Sequence, residues 1–176
     1  MSYQLVEKQV LYTGKKVRLE VHHLQDDDGK RAKREVCVHP GAVVILPLLD
    51  ENTVLLIRNK RYAVDQILLE LPAGTLEPKE PPINCAGREL LEETGYLAKR
   101  LKPLASFFTS PGILSEKMHA FVAYDLQKKV AALEEGEEIE LQPVPLGGAI
   151  QMIKNGEICD AKSIAVLLMY ERFGRG

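Results

Sequence analysis

The segment that most constrains the fold covers residues 74–96, because strong backbone preferences mark both ends of a helix within it. It reads GTLEPKEPPINCAGRELLEETGY. Pro81 and Pro82 favour the entry to a helix, where the missing backbone N–H costs nothing. Gly95 favours the left-handed position that directly follows a helix. The segment therefore predicts a helix over about residues 82–94.

This helix should turn one stripe of side chains toward the core. At 100° per residue, the stripe contains Ile83, Gly87, Leu90 and Thr94. Glu89 and Glu93 lie one turn apart on a flank of that stripe, and carboxylates at this spacing repel each other. A hard divalent cation such as Mg²⁺, which prefers oxygen ligands, would remove the repulsion. The residues alone leave a second interpretation open, since a run of charge is usually a solvated helix face.

The rest of the chain alternates short strands with two further helices. Period-two alternation predicts strands before and after Thr13-Gly14, a hairpin turn at Asp28-Gly29, and a strand in REVCVHP. The run GAVVILPLL is almost wholly apolar and predicts a buried central strand. Further strands are predicted in TVLLIRNKRY, LLELPAG, LASFFTS and KMHAFVAYDLQ, and another follows the acidic loop EEGEEIE. LGGAIQMIKNGEI predicts a helix, and DAKSIAVLLMYERFG predicts a last helix capped by Asp160.

Composition limits the class of partner. The chain has 176 residues, a net charge of −2 and three cysteines, and 45% of its residues are hydrophobic. This charge balance gives no electrostatic reason to expect a nucleic-acid or membrane partner. The basic run KRAKR is offset by the neighbouring DDD. The three separated cysteines indicate reduced thiols in a cytoplasmic protein, and the N-terminus lacks the apolar core of an export signal.

The 74–96 segment resembles the Nudix box in order and spacing: Gly74, five residues, Glu80, seven residues, Arg88-Glu89-Leu90, one residue, Glu92-Glu93, one residue, Gly95-Tyr96. The resemblance implies a fold of the α+β class, a Nudix-type α/β/α sandwich around a mixed β-sheet, here with an N-terminal antiparallel β extension. We divide the chain into this extension, residues 1–40, and a Nudix hydrolase domain, residues 41–176.

The resemblance also implies a metal site. Glu89 and Glu93 are expected as the main ligands of Mg²⁺, with Mn²⁺ as a possible substitute, together with the backbone carbonyl of Ala73. Glu92 is expected as a further or water-bridged ligand. Arg88 is expected to orient Glu92 by a charge-assisted hydrogen bond. Glu80 is expected to support the loop that precedes the helix.

ELPAGTLE before the helix and TSPG after it resemble the subgroup of ADP-ribose and nucleoside-diphosphate-sugar pyrophosphatases, in which a proline lies about fifteen residues past the box, as Pro111 does here. That subgroup implies a catalytic glutamate in the acidic loop. Glu135 and Glu137 are the candidates for the base, and Glu137 is also a candidate metal ligand. Glu134 and Glu138 remain possible from the sequence.

The same resemblance implies substrate contacts outside the box. Arg34, Glu35 and Arg61 match substrate-contacting positions, and the forked guanidinium of Arg61 would suit a diphosphate. Tyr12 is a candidate for stacking on the base, although packing would explain it equally well. The N-terminal strands are expected to form a homodimer. His22, His23, His39 and His119 are given no catalytic role.

The function implied is metal-dependent hydrolysis of the pyrophosphate bond of a nucleoside diphosphate sugar. ADP-ribose, cleaved to AMP and ribose 5-phosphate, is the expected substrate. One alternative is the same chemistry on GDP-mannose or UDP-glucose. Another is a sensor that binds ADP-ribose without cleaving it, although such domains usually lack box glutamates. A shorter class of enzyme that removes mutagenic nucleotides is a further alternative, but it typically lacks the N-terminal extension.

Overall fold

A computed structural model describes residues 2–129 and 138–174 of the chain. The chain divides into two compact units. The first consists of Met1–Gly41 with Phe108–Lys117, and the second consists of Ala42–Phe107 with Met118–Gly176.

The first unit contains a three-stranded antiparallel sheet in the order β1-β2-β3, formed by Gln4–Thr13 (β1), Arg18–Gln25 (β2) and Arg31–Val38 (β3). The predicted hairpin at Asp28-Gly29 is confirmed, since Gly29 has a φ of 81° and its N–H donates to the Asp26 carbonyl. Main-chain hydrogen bonds also join Cys37 to Ile113 and Ser115 in the 108–117 segment. The expected antiparallel β extension is therefore present.

The strands of the second unit form two sheets. Their bounds are Ala42–Pro47 (β4), Thr53–Arg61 (β5), Gln66–Glu70 (β6), Ala73–Thr75 (β7), Tyr96–Phe108 (β8), Lys117–Lys128 (β9) and Ile139–Pro145 (β10). One sheet has the order β7-β4-β9-β8 and the other the order β10-β5-β6. Strand β4 runs parallel to β9 and antiparallel to β7, so the larger sheet is mixed. Strand β8 begins earlier than LASFFTS predicted, directly after the helix that ends at Thr94.

The helices of the second unit are Pro82–Thr94 (α1), Leu146–Lys154 (α2) and Ala161–Met169 (α3), and a π-helical turn covers Tyr170–Gly174. The predicted bounds of α1 are confirmed. The predicted cap of α3 is also confirmed, because the Asp160 side chain accepts a hydrogen bond from the Ser163 N–H at 3.0 Å.

Strand β4 is buried along its whole length and separates two apolar clusters. Val43 and Ile45 pack in one cluster with Cys85, Ala86 and Leu90 of α1. Successive strand residues point to opposite faces of a sheet. Accordingly, the alternate β4 residues pack in the other cluster with α2 and α3; its members include Val44, Leu46, Ala149, Val166 and Leu167. Helices thus cover both faces of a mixed sheet, which confirms the α/β/α sandwich.

Within the described residues, none of the helices has the length and apolar character needed to span a membrane.

Candidate active site

Helix α1 and strand β7 supply the backbone of the candidate site. Pro81 adopts an extended conformation before α1, and Gly95 ends the helix with a φ of 69° and an N–H that donates to the Leu91 carbonyl. One part of the predicted core stripe is wrong, because Ile83 is 45% exposed while Leu90 and Thr94 are buried. The buried face of α1 is instead rotated to include Glu93, which is 4% exposed.

Arg88 connects three glutamates of the box. Its Nε and Nη2 donate to the two carboxylate oxygens of Glu80 at 3.1 and 3.0 Å. Its Nη1 donates to Glu89 at 2.8 Å and to Glu92 at 2.9 Å. The i, i+4 contact between Arg88 and Glu92 expected from the sequence is therefore present. One guanidinium thus fixes the rotamers of side chains from both the loop and the helix.

This network has clear electrostatic consequences. The Arg88 guanidinium lowers the pKa of Glu80 to about 2. Glu80 in turn raises the pKa of Arg88 above its usual range, so the pair stays ionised across the physiological pH range. Burial raises the pKa of the neighbouring Cys85 thiol to about 12. Cys85 is therefore an uncharged core thiol here and no nucleophile.

The Glu89 carboxylate lies directly against the backbone of strand β7. A Cβ atom built on Gly74 would lie 1.8 Å from the Glu89 Cδ and 2.0 Å from its Oε1. Only a glycine can occupy residue 74 with Glu89 in this position. The absent side chain is what allows the carboxylate to approach the strand.

The Glu93 carboxylate contacts the same short strand one residue earlier. Its Oε2 accepts a hydrogen bond from the Ala73 N–H at 3.0 Å. Two carboxylates on one helix face are thereby held at two consecutive residues of β7. The backbone oxygen of Ala73, the third expected ligand, belongs to the same two-residue segment.

These oxygen donors suit a hard divalent cation, which binds carboxylate and carbonyl oxygens. In the described parts of the chain, no three His, Cys, Asp or Glu side chains come together closely enough to hold a metal ion. A site on Glu89 and Glu93 would therefore need the Ala73 carbonyl and further oxygen ligands. The candidates Glu134, Glu135 and Glu137 lie outside the described residues, and Glu138 is exposed.

The structure gives Arg61 a partner that the sequence did not indicate. Its Nε and Nη2 donate to the two carboxylate oxygens of Glu70 at 2.8 and 2.6 Å. Lys162 also donates to Glu70, and it lies 2.9 Å from the Asp160 carboxylate. Glu70 raises the pKa of Arg61, and the charge of Glu93 raises it further. Glu70, which holds Arg61, ends strand β6 only three residues before Ala73.

Glu70, Lys162 and Ser163 of this region were not predicted from the sequence. One signal was available for Glu70, since a single carboxylate in the apolar run QILLELPA needs a partner if the strand is buried. The sequence contained no comparable signal for Lys162, which resembles any other lysine near a helix terminus.

The remaining predicted substrate residues belong to the first unit. Arg34 and Glu35 are consecutive on β3, so their side chains leave opposite faces of the sheet. Arg34 pairs across strands with His22 and donates to the Lys33 carbonyl at 2.8 Å. Tyr12, near the end of edge strand β1, is 61% exposed.

Comparison with known proteins agrees with this geometry. The model of the NUDIX domain family matches residues 38–167. The chain is 38% identical to the ADP-ribose pyrophosphatase of Bacillus subtilis (strain 168), over 93% of this chain and 89% of that protein. It is 37% identical to the methanol dehydrogenase activator of Bacillus methanolicus, over 90% and 87%. It is 35% identical to the GDP-mannose pyrophosphatase of Salmonella paratyphi B, over 78% and 76%.

A solved structure shows the same fold. The crystal structure of an ADP compounds hydrolase superposes with a TM-score of 0.87 at 24% identity, covering 100% of this chain and 97% of that one. The match of the family model to most of the chain, the relatives above 30% identity and the arrangement of box residues agree with one another. The chain belongs to the Nudix family and is a Nudix hydrolase.

Proposed function

We propose that this enzyme hydrolyses the pyrophosphate bond of nucleoside diphosphate sugars, and that ADP-ribose is its substrate, giving AMP and ribose 5-phosphate. The observation that carries the proposal is the placement of the Glu89 and Glu93 carboxylates against Gly74 and Ala73. The similarity to an ADP-ribose pyrophosphatase over most of both chains supports the choice of substrate.

In this proposal the Ala73 carbonyl, Glu89, Glu93 and Glu137 hold Mg²⁺, for which Mn²⁺ can substitute. The bound ion supplies charge neutralisation of the pyrophosphate and makes a water molecule more acidic. Glu89 and Glu93 need no large rearrangement for this role, because the β7 backbone and Arg88 already hold their side chains.

Different residues of the chain then have different roles in the reaction. A water oxygen attacks one phosphorus, the bond from that phosphorus to the bridging oxygen breaks, and the second phosphate leaves with the bridging oxygen. Glu135 or Glu137 accepts the proton of the attacking water. Arg88 keeps Glu92 oriented beside the reacting groups, and Arg61 binds the pyrophosphate. Arg34, Glu35 and Tyr12 contact the nucleoside and sugar.

The test is a product assay with ADP-ribose and Mg²⁺. The wild-type enzyme should release AMP, and Glu93→Gln should lower kcat by at least about 100-fold, since outer-shell changes alone cost 10–100-fold. Glu157→Gln, which changes an exposed glutamate after α2, is the matched control and should keep the wild-type rate. Unchanged turnover in Glu93→Gln would contradict the proposal.

GDP-mannose is a second candidate substrate, because a GDP-mannose pyrophosphatase is 35% identical over 78% of this chain. A panel containing ADP-ribose, GDP-mannose and UDP-glucose separates the candidates. We expect the highest kcat/KM for ADP-ribose. A higher kcat/KM for GDP-mannose would make GDP-mannose the assigned substrate.

We also propose that the enzyme is a homodimer that associates through the N-terminal strands. Every residue of β1 is exposed, and the strand carries large apolar side chains. These include Leu5, Val6, Val10, Leu11 and Tyr12. Several large apolar side chains exposed on one strand are typical of an interface. Light scattering of the wild-type protein should give twice the mass of one chain. Leu11→Glu should reduce the measured mass to that of one chain. Lys102→Glu is the control and should leave the mass unchanged.

A cytoplasmic location is proposed from the cysteines, since Cys37, Cys85 and Cys159 are all free thiols. This state is usual in a reducing compartment. Cell fractionation of the native organism would test it.

A further inference from the structure

A fully buried carboxylate lies at the end of strand β6, outside the predicted metal site. The side chain of Glu70 is 1% exposed, and the residue as a whole is 0% exposed. Removing a carboxylate from water is costly unless charged partners compensate for the lost hydration. The use of such a group in a strand that leads directly to Ala73 calls for a functional explanation.

Two cations share this one carboxylate. Arg61 contacts both oxygens of Glu70 with a forked pair of hydrogen bonds at 2.8 and 2.6 Å. Lys162 donates to Oε2, the same oxygen that accepts from the Arg61 Nη2. A bidentate pair fixes the plane of the guanidinium as well as its position. Arg61 is thus held in one orientation.

Asp160, the N-cap of α3, is a second partner of Lys162. The Lys162 Nζ lies 2.9 Å from the Asp160 Oδ2. The same oxygen accepts hydrogen bonds from the Ser163 N–H and hydroxyl at 3.0 and 2.6 Å. The Ser163 Oγ in turn accepts from the Leu71 N–H at 2.7 Å. Ser163 therefore holds the backbone that follows Glu70, and Asp160 keeps Lys162 directed at the Glu70 carboxylate.

Among the described residues, the pair with Glu70 leaves part of the Arg61 guanidinium available for another anion. Of the guanidinium donors, the Nη1 amine and one N–H of Nη2 remain outside the pair with Glu70. The side chain is 38% exposed, unlike its buried partner. The negative charge of Glu93 contributes to the raised pKa of Arg61.

Charge balance depends on the lysine. Arg61 and Lys162 carry two positive charges, and Glu70 and Asp160 carry two negative charges, so the four-residue cluster is neutral. Without Lys162 the cluster would have a net charge of −1. Glu70 would then neutralise Arg61 completely, and the approach of an anionic substrate would be opposed.

We propose that Glu70 is a positioning residue that presents the Arg61 guanidinium to the pyrophosphate of the substrate, and that Lys162 keeps this cluster neutral so that Arg61 can still attract an anion. The inference rests on the proposed function, because it assumes a pyrophosphate substrate. It assigns Lys162 an electrostatic role exerted through Glu70 and Arg61, without contact to the substrate.

The test compares Lys162→Met with the double variant Asp160→Asn/Lys162→Met. Asparagine is a good N-cap, so the double variant restores neutrality and keeps the start of α3. ADP-ribose affinity is measured by calorimetry in EDTA, where turnover does not interfere. We expect Lys162→Met to weaken binding about tenfold and the double variant to recover to within about threefold of wild type.

Kinetics with Mg²⁺ supply a second readout. Lys162→Met should raise KM by a similar factor with little change in kcat, because the effect is on binding of the anion. Lys60→Met is the matched control, since Lys60 also forms an ion pair, with Asp65 at 2.5 Å, and should keep the wild-type KM. Circular dichroism checks the fold, and Lys162→Gln repeats the comparison if the methionine variant does not give a native spectrum.

The outcomes separate the inference from the function. Wild-type affinity for ADP-ribose in Lys162→Met would overturn the inference. Equally weak binding by Lys162→Met and the double variant would also overturn it, because that pattern indicates direct contact between Lys162 and the substrate. Absence of wild-type binding in EDTA would also overturn it. Wild-type binding without release of AMP in the presence of Mg²⁺ would overturn the proposed function and leave the affinity comparison valid.

Discussion

The Glu89 carboxylate fills the space that a side chain at Gly74 would need. A methyl group added at residue 74 would lie 1.8 Å from the Glu89 Cδ. The carboxylate can lie against strand β7 only because residue 74 has no side chain. The position of a candidate metal ligand on α1 is thus coupled to the smallest residue of a neighbouring strand.

Gly74→Ala should therefore displace Glu89 and lower kcat by about 10–100-fold, the range typical of changes that misplace a metal ligand. The Mg²⁺ concentration giving half-maximal activity should rise as well. Gly147→Ala is the control, because a Cβ at this helical residue meets no atom within 4 Å. It should keep full activity and should not lower the stability of the protein. Full activity in Gly74→Ala would show that catalysis does not require the Glu89 carboxylate in its present position.

Arg88→Lys should retain the positive charge but lose the forked contacts with Glu80, Glu89 and Glu92. A lysine ammonium cannot reproduce the planar geometry that reaches three carboxylates. We expect kcat to fall by about 10–100-fold while the fold is retained. Steady-state kinetics with circular dichroism measure the two effects. A variant with unchanged kcat would show that the orientation of these glutamates by Arg88 is dispensable.

Glu80→Gln should reveal a stability difference that depends on pH. Arg88 lowers the pKa of Glu80 to about 2 from 4.5, so ionised Glu80 stabilises the folded state above pH 4.5. This contribution is lost as the pH falls from 4.5 toward 2. Urea unfolding at pH 7 should show the variant to be less stable by about 2 kcal/mol, as for a charged hydrogen-bonded pair. The unfolding free energies of the two proteins should converge as the pH falls from 4.5 toward 2. A constant difference across that range would contradict the assignment.

Lys79→Gly should stabilise the protein. Lys79 has a φ of 66°, a left-handed conformation that costs a residue with a side chain about 1–2 kcal/mol. Part of the gain is offset by the entropy that glycine loses on folding, so we expect a net increase of about 0.5–1 kcal/mol in the free energy of unfolding. Lys99→Gly, within strand β8, is the matched control and should destabilise. A loss of stability in Lys79→Gly would show that the lysine side chain makes a compensating contact.

Local features of the sequence determined the bounds of α1 and the pairing of its charges. Pro82 and Gly95 act through their own backbone preferences, and the spacing between Glu89 and Glu93 follows from helix geometry alone. The resemblance to the Nudix box added the family, which the comparisons confirm. The apolar run at β4 predicted a buried strand correctly, because a strand buried on both faces has no polar alternation.

Tertiary structure decided which groups meet. Ile83 was expected in the core but is exposed, because the sheet against which α1 packs sets the buried face, and that face includes Glu93. Glu70 and Lys162 are 92 residues apart, and only the packing of α3 beside β6 makes one the partner of the other. Helical periodicity and turn preferences act over a few residues. The cost of burying the Glu70 charge is met by partners that the folded chain brings from other strands and helices.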